Sequence, residues 1–86
     1  RVQRMTIVVR LFAILRERAG IDAITLAHVN GMSVADAIAR LVHDGVIAAD
    51  IPTASFLCAV NHEYASRDTE LADGDELALI PPVSGG

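Results

Sequence analysis

The sequence predicts an α+β domain, in which one main helix packs across a sheet and an extra short helix follows the first strand. Apolar residues alternate with other residues in segments near both ends of the chain, and one central segment has the apolar spacing of a helix. Of the 86 residues, 52% are apolar. A chain of this length and composition supports one compact domain.

A strand is predicted over residues 5–12, where Ile7, Val9 and Leu11 share one side, as a strand with one buried face requires. Residues that favour helices follow the strand and stop at Gly20. A glycine at that place is typical of a helix end, because it adopts the left-handed conformation at little cost. The first strand is therefore followed by a short helix.

Alternation resumes over residues 21–29 and predicts a second strand, after which Asn30 and Gly31 supply turn chemistry. Ser33 then begins the main helix, because its hydroxyl can cap the backbone N–H of Asp36. The apolar residues that fall on one face of this helix are Val34, Ile38, Leu41 and Val42.

Two or three further strands are predicted in the second half, after an irregular stretch that runs through Pro52. Two short apolar runs are separated by a possible turn at Asn61 and His62. The last run ends at Pro81 and Pro82, because proline has no N–H to donate to a neighbouring strand.

We expect residues 5–80 to form the domain and residues 81–86 to form a flexible tail that ends in Gly-Gly. Residues 1–4, which precede Met5, are expected to be a non-native or disordered extension. No internal repeat or linker divides the chain.

Composition argues against several functional classes. The net charge is −4 and all seven basic residues are arginine, so a nucleic-acid partner is not expected. No apolar run approaches the roughly 18 residues of a membrane span. Cys58 is the single cysteine and no secretory leader precedes the first strand, so we expect a cytoplasmic protein.

Cysteine and histidine side chains offer little visible chemistry. Cys58 lies in an apolar run with no positive neighbour expected, which favours core packing over a reactive thiol. His28, His43 and His62 lack the spacing of metal ligands, so no metal site is expected and surface or edge polarity is their predicted role.

Charged segments are also interpreted as structural. Residues 73–76, with the sequence DGDE, lack the remaining ligands of a calcium loop and predict a tight turn before the last strand. Residues 16–18, with the sequence RER, predict a solvated helix face. We therefore expect no active site in the body of the domain.

The C-terminal tail is the remaining candidate. Pro81 and Pro82 stiffen its start, while Gly85 and Gly86 can thread a narrow channel and leave the terminal carboxylate unhindered. A carboxylate must be activated before it can transfer a group. A mixed anhydride with AMP achieves this, and a sulfur nucleophile can then displace AMP to leave a thiocarboxylate.

Three segments, LFAILRERAG, AVNHE and LADGDELALIPPVSGG, in this order, resemble the small subunits of molybdopterin synthase from Met5 onward. The resemblance implies a ubiquitin-like β-grasp fold with a mixed sheet. It also implies a sulfur carrier of molybdenum cofactor biosynthesis that is not itself an enzyme, with the catalytic residues on the large subunit.

The resemblance further implies that Gly86 is adenylated by a ubiquitin-activating-type adenylyltransferase, which uses ATP, and is then thiocarboxylated. A cysteine desulfurase or sulfurtransferase supplies the sulfur. The carrier binds no cofactor itself and joins the large subunit, in an expected heterotetramer, where cyclic pyranopterin monophosphate receives sulfur to form the dithiolene. Gly86 carries the sulfur, and the positions matched to partner binding are Pro81, Pro82, Val83, Ser84, Gly85, Gly86 and, on the sheet surface, Phe12.

Three other functions stay open from the residues alone. The chain could carry sulfur for thiamin thiazole synthesis, although the PPVSGG ending is unusual for that group. It could be a ubiquitin-like modifier conjugated through Gly86, or an interaction domain whose tail has no chemistry. The mass of the chain shows whether it carries sulfur, and the product formed with the large subunit separates the two sulfur carriers. Conjugates to other proteins would indicate a modifier.

Overall fold

The computed structural model describes residues 5–82, so the predicted extension of residues 1–4 and the last four residues lie outside the described part. The predicted strands and both predicted helices are present. The elements are β1 (Thr6–Leu11), α1 (Ile14–Ala19), β2 (Ala23–Ala27), α2 (Val34–His43), a 3-10 helix (Thr53–Ser55), β3 (Leu57–Val60), β4 (Glu63–Ala65) and β5 (Glu76–Ile80).

The five strands form one mixed sheet in the order β2-β1-β5-β3-β4. β1 and β5 pair in parallel at its centre, whereas the other neighbours are antiparallel. This order, with α2 across one face, is the β-grasp arrangement, and it confirms the predicted fold class. Because β1 and β5 are parallel, the chain leaves β5 at the same end of the sheet where β1 ends.

The core lies between α2 and one face of the sheet. Ile7 and Val9 of β1 are fully buried, as the alternation predicted, and so are Leu77 and Leu79 of β5. The buried residues of α2 that join the same cluster are Val34, Ala37, Ile38 and Leu41, with Val42 partly buried beside them. The other face of the sheet, called the open face below, has no helix across it within the described residues.

Local sequence signals set the start of α2 and the end of α1. The Ser33 hydroxyl accepts a hydrogen bond from the Asp36 N–H at 3.2 Å, and the Asp36 carboxylate accepts one from the Ser33 N–H at 3.0 Å. This reciprocal capping box satisfies two N–H groups that the first turn leaves free. At the end of α1, Gly20 adopts the predicted left-handed conformation with φ 76°.

The stretch before β3 is more ordered than predicted. It contains the 3-10 helix Thr53–Ser55, where we expected only irregular chain. The guanidinium of Arg67, which is distant in sequence, donates hydrogen bonds to the carbonyls of Thr53 and Phe56. Sequence patterns did not reveal this helix because a distant arginine holds it.

Candidate functional site

The predicted site is centred on the C-terminal tail, of which the structure describes only the start. Val83, Ser84, Gly85 and Gly86 lie outside the described residues. β5 ends at Ile80, immediately before the two prolines, as predicted. Pro81 is buried and Pro82 is exposed, so of the two prolines only the second offers a surface to a partner.

Phe12 lies at the same end of the sheet as the start of the tail. Leu11 of β1 pairs with Leu79 of β5, so Phe12, the residue after β1, lies beside Ile80, the last residue of β5. Phe12 is 40% exposed. The structure therefore brings together the one site residue predicted on the sheet surface and the root of the predicted tail.

A strained turn sets the direction of the chain after Phe12. Ala13 has φ 53° and ψ −127°, a conformation that normally requires glycine. The Leu15 N–H donates to the Phe12 carbonyl at 3.1 Å and closes the turn. As a result Leu15 enters the core, whereas Phe12 stays at the surface.

A shallow groove crosses the open face beside Phe12. Its floor is made by Ala59 and Ala78, which pair across β3 and β5, and its far wall is Tyr64, which pairs with Ala59 from β4. The depression has a volume of about 290 Å³. We call it the open-face groove, and its lining residues are Phe12, Ala59, His62, Tyr64, Glu76, Ala78 and Ile80.

The charged groups at one end of the open-face groove are already engaged. The Glu76 carboxylate accepts a hydrogen bond from Arg10 Nε at 2.8 Å, and the Glu76 N–H donates to the side-chain oxygen of Asn61 at 3.0 Å. Asn61 also donates from its amide to Asp75 at 2.9 Å. The opposite end, near Phe12 and the tail, is apolar.

Most of the exposed large apolar side chains in residues 5–82 lie near this groove or at the same end of the sheet. Leu57, the first residue of β3, is 53% exposed. Ile14, the first residue of α1, and Ile21, which precedes β2, are exposed where β1 ends and β2 begins. Among the exposed large apolar side chains that the structure describes, only Met5 and Val29 lie at the opposite end. A concentration of apolar surface of this kind is typical of a protein interface.

Sequence reasoning identified Phe12 by resemblance but missed the rest of the groove. One signal was available, because Ala78 and Ile80 are apolar although they lie on the face of β5 opposite Leu77 and Leu79. A strand with one solvated face would carry polar residues there. The missed lining residues are Ala59, His62, Tyr64, Glu76, Ala78 and Ile80.

Cys58 is a core residue, as predicted, but its surroundings differ from the expectation. Burial raises the pKa of the Cys58 thiol, and the nearby charge of Arg67 lowers that pKa by less. The expectation of no positive neighbour was therefore wrong. The thiol nevertheless stays protonated and buried, which disfavours nucleophilic chemistry.

The histidines are separate from one another, and residues 5–82 contain no cluster of His, Cys, Asp and Glu able to hold a metal ion. His43 and His62 are exposed, as expected. His28 is partly buried just after the edge strand β2, so of the predicted surface or edge polarity it fits the edge role. Its Nε2–H donates to the Leu71 carbonyl at 2.7 Å, and its other ring nitrogen is buried with no hydrogen-bond partner among residues 5–82.

The DGDE segment forms the predicted turn. Gly74 has φ 87°, the Asp73 carboxylate accepts from the Thr6 N–H at 2.9 Å, and the Asp75 carboxylate accepts from the Ala72 N–H at 2.8 Å. These carboxylates satisfy backbone N–H groups and fix the entry to β5. They have a structural role in the turn.

Residues 16–18 form an exposed helix face, as predicted. The Arg18 guanidinium donates to both oxygens of Asp50 at 3.2 and 3.3 Å. That hydrogen bonding, together with the charge of Arg18, lowers the pKa of Asp50. Across residues 5–82, no helix has the length and apolar character needed to cross a membrane.

Known proteins match most of this chain, and the family model extends through the tail. The sequence model of the ThiS family matches residues 9–86. The molybdopterin synthase sulfur carrier subunit of Chlamydomonas reinhardtii is 39% identical over 84 residues, which cover 95% of this chain and all of that protein.

Two solved structures extend the comparison to three dimensions. SAMP1 from Haloferax volcanii superposes with a TM-score of 0.78 at 33% identity, covering 94% of this chain and 99% of that one. Subunits 1 and 2 of the molybdopterin-converting factor from Helicobacter pylori were solved as a complex, and the matching chain gives a TM-score of 0.65 at 25% identity. That match covers 95% of this chain and all of the other.

Proposed function

The chain belongs to the ThiS family, and we propose that it is the sulfur carrier subunit of a molybdopterin synthase, acting in molybdenum cofactor biosynthesis. The observation that carries this function is a family match that continues through Gly86, the residue whose carboxylate would bear the sulfur. The similarity to the molybdopterin synthase sulfur carrier subunit of Chlamydomonas reinhardtii favours this pathway over thiazole synthesis and over protein modification.

The proposed chemistry takes place at the carboxylate of Gly86. One carboxylate oxygen attacks the α-phosphorus of ATP on a ubiquitin-activating-type adenylyltransferase, and pyrophosphate leaves. The outer sulfur of a persulfide on a cysteine desulfurase or sulfurtransferase then attacks the carbonyl carbon, and the bond to AMP breaks. A second thiol attacks the S–S bond of the resulting acyl disulfide, forms a disulfide with the sulfur donor and releases the acyl sulfur. The product is a thiocarboxylate at Gly86. The chain itself binds no cofactor, because ATP belongs to the activating enzyme.

The thiocarboxylate then donates its sulfur inside the large subunit. Its sulfur forms a bond to a side-chain carbon of cyclic pyranopterin monophosphate as an oxygen substituent leaves that carbon, and water then cleaves the acyl–sulfur bond, which restores the Gly86 carboxylate. Two such transfers supply the two sulfurs of the dithiolene. The acid and base groups for these steps reside on the large subunit, so this chain acts as a donor and not as a catalyst.

The geometry at the end of the sheet supports a large-subunit partner. Phe12 lies beside Ile80 at the end of β5, and exposed Leu57 pairs with Ile80, so a protein that receives the tail meets an apolar surface at its root. Partner contacts are proposed for Phe12, Pro82 and the tail residues Val83 to Gly86. The complete synthase is proposed to be a heterotetramer of two carriers and two large subunits.

Intact-mass measurement tests the proposal directly. The chain is coexpressed with an activating enzyme and a sulfur source, and we expect a species in which one oxygen is replaced by sulfur. Adding the large subunit and cyclic pyranopterin monophosphate should yield the dithiolene product and return the original mass. An unmodified chain, under conditions that charge a known carrier in parallel, would contradict the proposal. Conjugates to other proteins would instead indicate a modifier.

A further inference from the structure

The two outer strands of the sheet, β2 and β4, differ in how well their free edges are protected. β4 is three residues long and begins with the exposed charge of Glu63. β2 is five residues long, with the sequence AITLA, and contains neither a charged residue nor a proline. Proteins usually protect an outer strand by shortness, charge or proline, because its unpaired backbone groups can bind another strand. The edge of β2 therefore offers a surface for strand pairing.

The pairing of β2 with β1 shows which backbone groups of β2 point away from the sheet. The His28 N–H, just after β2, donates to the Met5 carbonyl at 2.9 Å. Because the direction of the backbone groups alternates along a strand, the even-numbered residues of β2 bond to β1. The backbone groups of Ala23, Thr25 and Ala27 point the other way and have no hydrogen-bond partner within residues 5–82. These groups are available to a further strand.

The sequence of β2 suits antiparallel pairing with a second copy of the same strand. When Thr25 lies on the two-fold axis, it is opposite Thr25 of the other copy, and Ala23 is opposite Ala27. These residues have the outward backbone groups, so each opposed pair can exchange two hydrogen bonds. Opposed threonines also stabilise neighbouring strands. No like charges meet, because Asp22 lies opposite His28 in this register.

Exposed apolar residues flank β2 and support the same register. Ile21 lies just before β2 and is 41% exposed, and Val29 lies just after it and is 58% exposed. With Thr25 on the two-fold axis, Ile21 of one copy lies opposite Val29 of the other. Association therefore removes apolar surface from water at both ends of the paired strands. Val29 lies at the end of the sheet opposite Pro82, so a partner that holds the tail does not account for its exposure.

We propose that two copies of this chain associate through the free edge of β2, which joins their sheets into one continuous sheet. The inference is independent of the proposed function, because β2 is an outer strand whereas the tail follows β5 at the centre of the sheet. Two short strands form a small interface, below about 1,200 Å², which supports a weak dimer. We expect a dissociation constant on the order of 10–100 µM.

Charge substitutions at exposed Thr25 test the register, with dimerisation of the full chain measured by sedimentation velocity. Thr25→Lys and Thr25→Glu each place like charges opposite each other, so either variant alone should dimerise at least about tenfold more weakly than the wild type. An equal mixture of the two should recover dimers, because opposite charges then meet. Ala27→Lys is the matched control. It adds the same charge to β2 but lies opposite Ala23, so it should weaken dimerisation less than about threefold.

A backbone change and hydrogen exchange test the edge itself. The Thr25 N–H points away from β1, so Thr25→Pro removes a donor from the free edge and none from the β1 pair. This variant should fold, as checked by circular dichroism, and stay monomeric. In the wild type, exchange of the Ala23, Thr25 and Ala27 amides should slow as concentration rises. A wild-type chain that is monomeric at about 1 mM, or a dimer whose β2 amides still exchange rapidly, would overturn the inference. Failure of the mixed charge variants to dimerise would overturn it as well.

Discussion

The two faces of β5 have opposite surroundings although their residues alternate along one strand. Leu77 and Leu79 are fully buried beneath α2, whereas Ala78 and Ile80 lie at the open face and line its groove. Burial of the first pair explains why the chain folds. Folding does not explain the second pair, because polar residues would serve as well on a solvated face. The difference supports the proposal that one face maintains the fold and the other serves the contact with the large subunit.

The largest expected loss of stability follows a substitution on the face of the sheet that α2 covers. Leu79→Ala removes a fully buried side chain from the centre of the core, so we expect the free energy of unfolding to fall by about 2–5 kcal/mol. Urea denaturation of the variant and the wild type measures the change. A loss below about 1 kcal/mol would show that the covered face is less important to stability than its burial indicates.

A smaller loss is expected where Arg67 holds the segment before β3. Arg67→Met keeps much of the side-chain length but removes both hydrogen bonds to the carbonyls of Thr53 and Phe56. The Thr53 carbonyl still accepts from the Phe56 N–H at 3.3 Å, so the main cost is at the partly buried Phe56 carbonyl, and loss of its partner should lower the unfolding free energy by about 1–3 kcal/mol. Without the positive charge, the pKa of the Cys58 thiol should also rise further. Unchanged stability would show that water replaces the guanidinium.

The helix that covers the core depends in part on its cap. Ser33→Ala removes the hydroxyl that accepts from the Asp36 N–H, so we expect a loss of about 1 kcal/mol in unfolding free energy. Ser33→Asp is the matched control, because its carboxylate can accept the same bond. Equal losses in the two variants would show that the cap does not contribute to stability.

The smallest expected effect concerns the exposed pair of Arg18 and Asp50. The Arg18 hydrogen bond and charge hold the pKa of Asp50 below its ordinary value of 3.8. Because the folded pKa is lowered, this contribution to stability is present above pH 3.8 and is lost as the pH falls through the folded value. Arg18→Gln should raise the pKa of Asp50, as followed by NMR titration of its carboxyl carbon. An unchanged pKa would show that the pair does not form in solution.

Much of the fold could be predicted because its signals are local. Alternation indicated β1 and β5, and the Ser33–Asp36 spacing indicated the start of α2. The 3-10 helix Thr53–Ser55 was missed because Arg67, distant in sequence, stabilises it. The order of the strands, with the first beside the last, also depends on contacts that no local pattern records.

The candidate site also has a part that the sequence predicted and a part that only the fold reveals. The tail was visible in sequence as a Gly-Gly end after two prolines, and Phe12 was identified by resemblance. The open-face groove was not visible, because Ala59, Tyr64 and Ala78 belong to different strands and meet only through their pairing. Burial of Pro81 was also unexpected, since both prolines had been placed in the exposed tail.

Deletion of Gly86 tests the central claim most directly, that the fold and the sulfur chemistry reside in separate parts of the chain. Glycine adds no side chain to a core, so the urea midpoint should stay at the wild-type value, while thiocarboxylate formation and sulfur transfer to cyclic pyranopterin monophosphate should be undetectable. Sulfur transfer by the shortened chain would contradict the account, because the acceptor carboxylate would then not be that of Gly86.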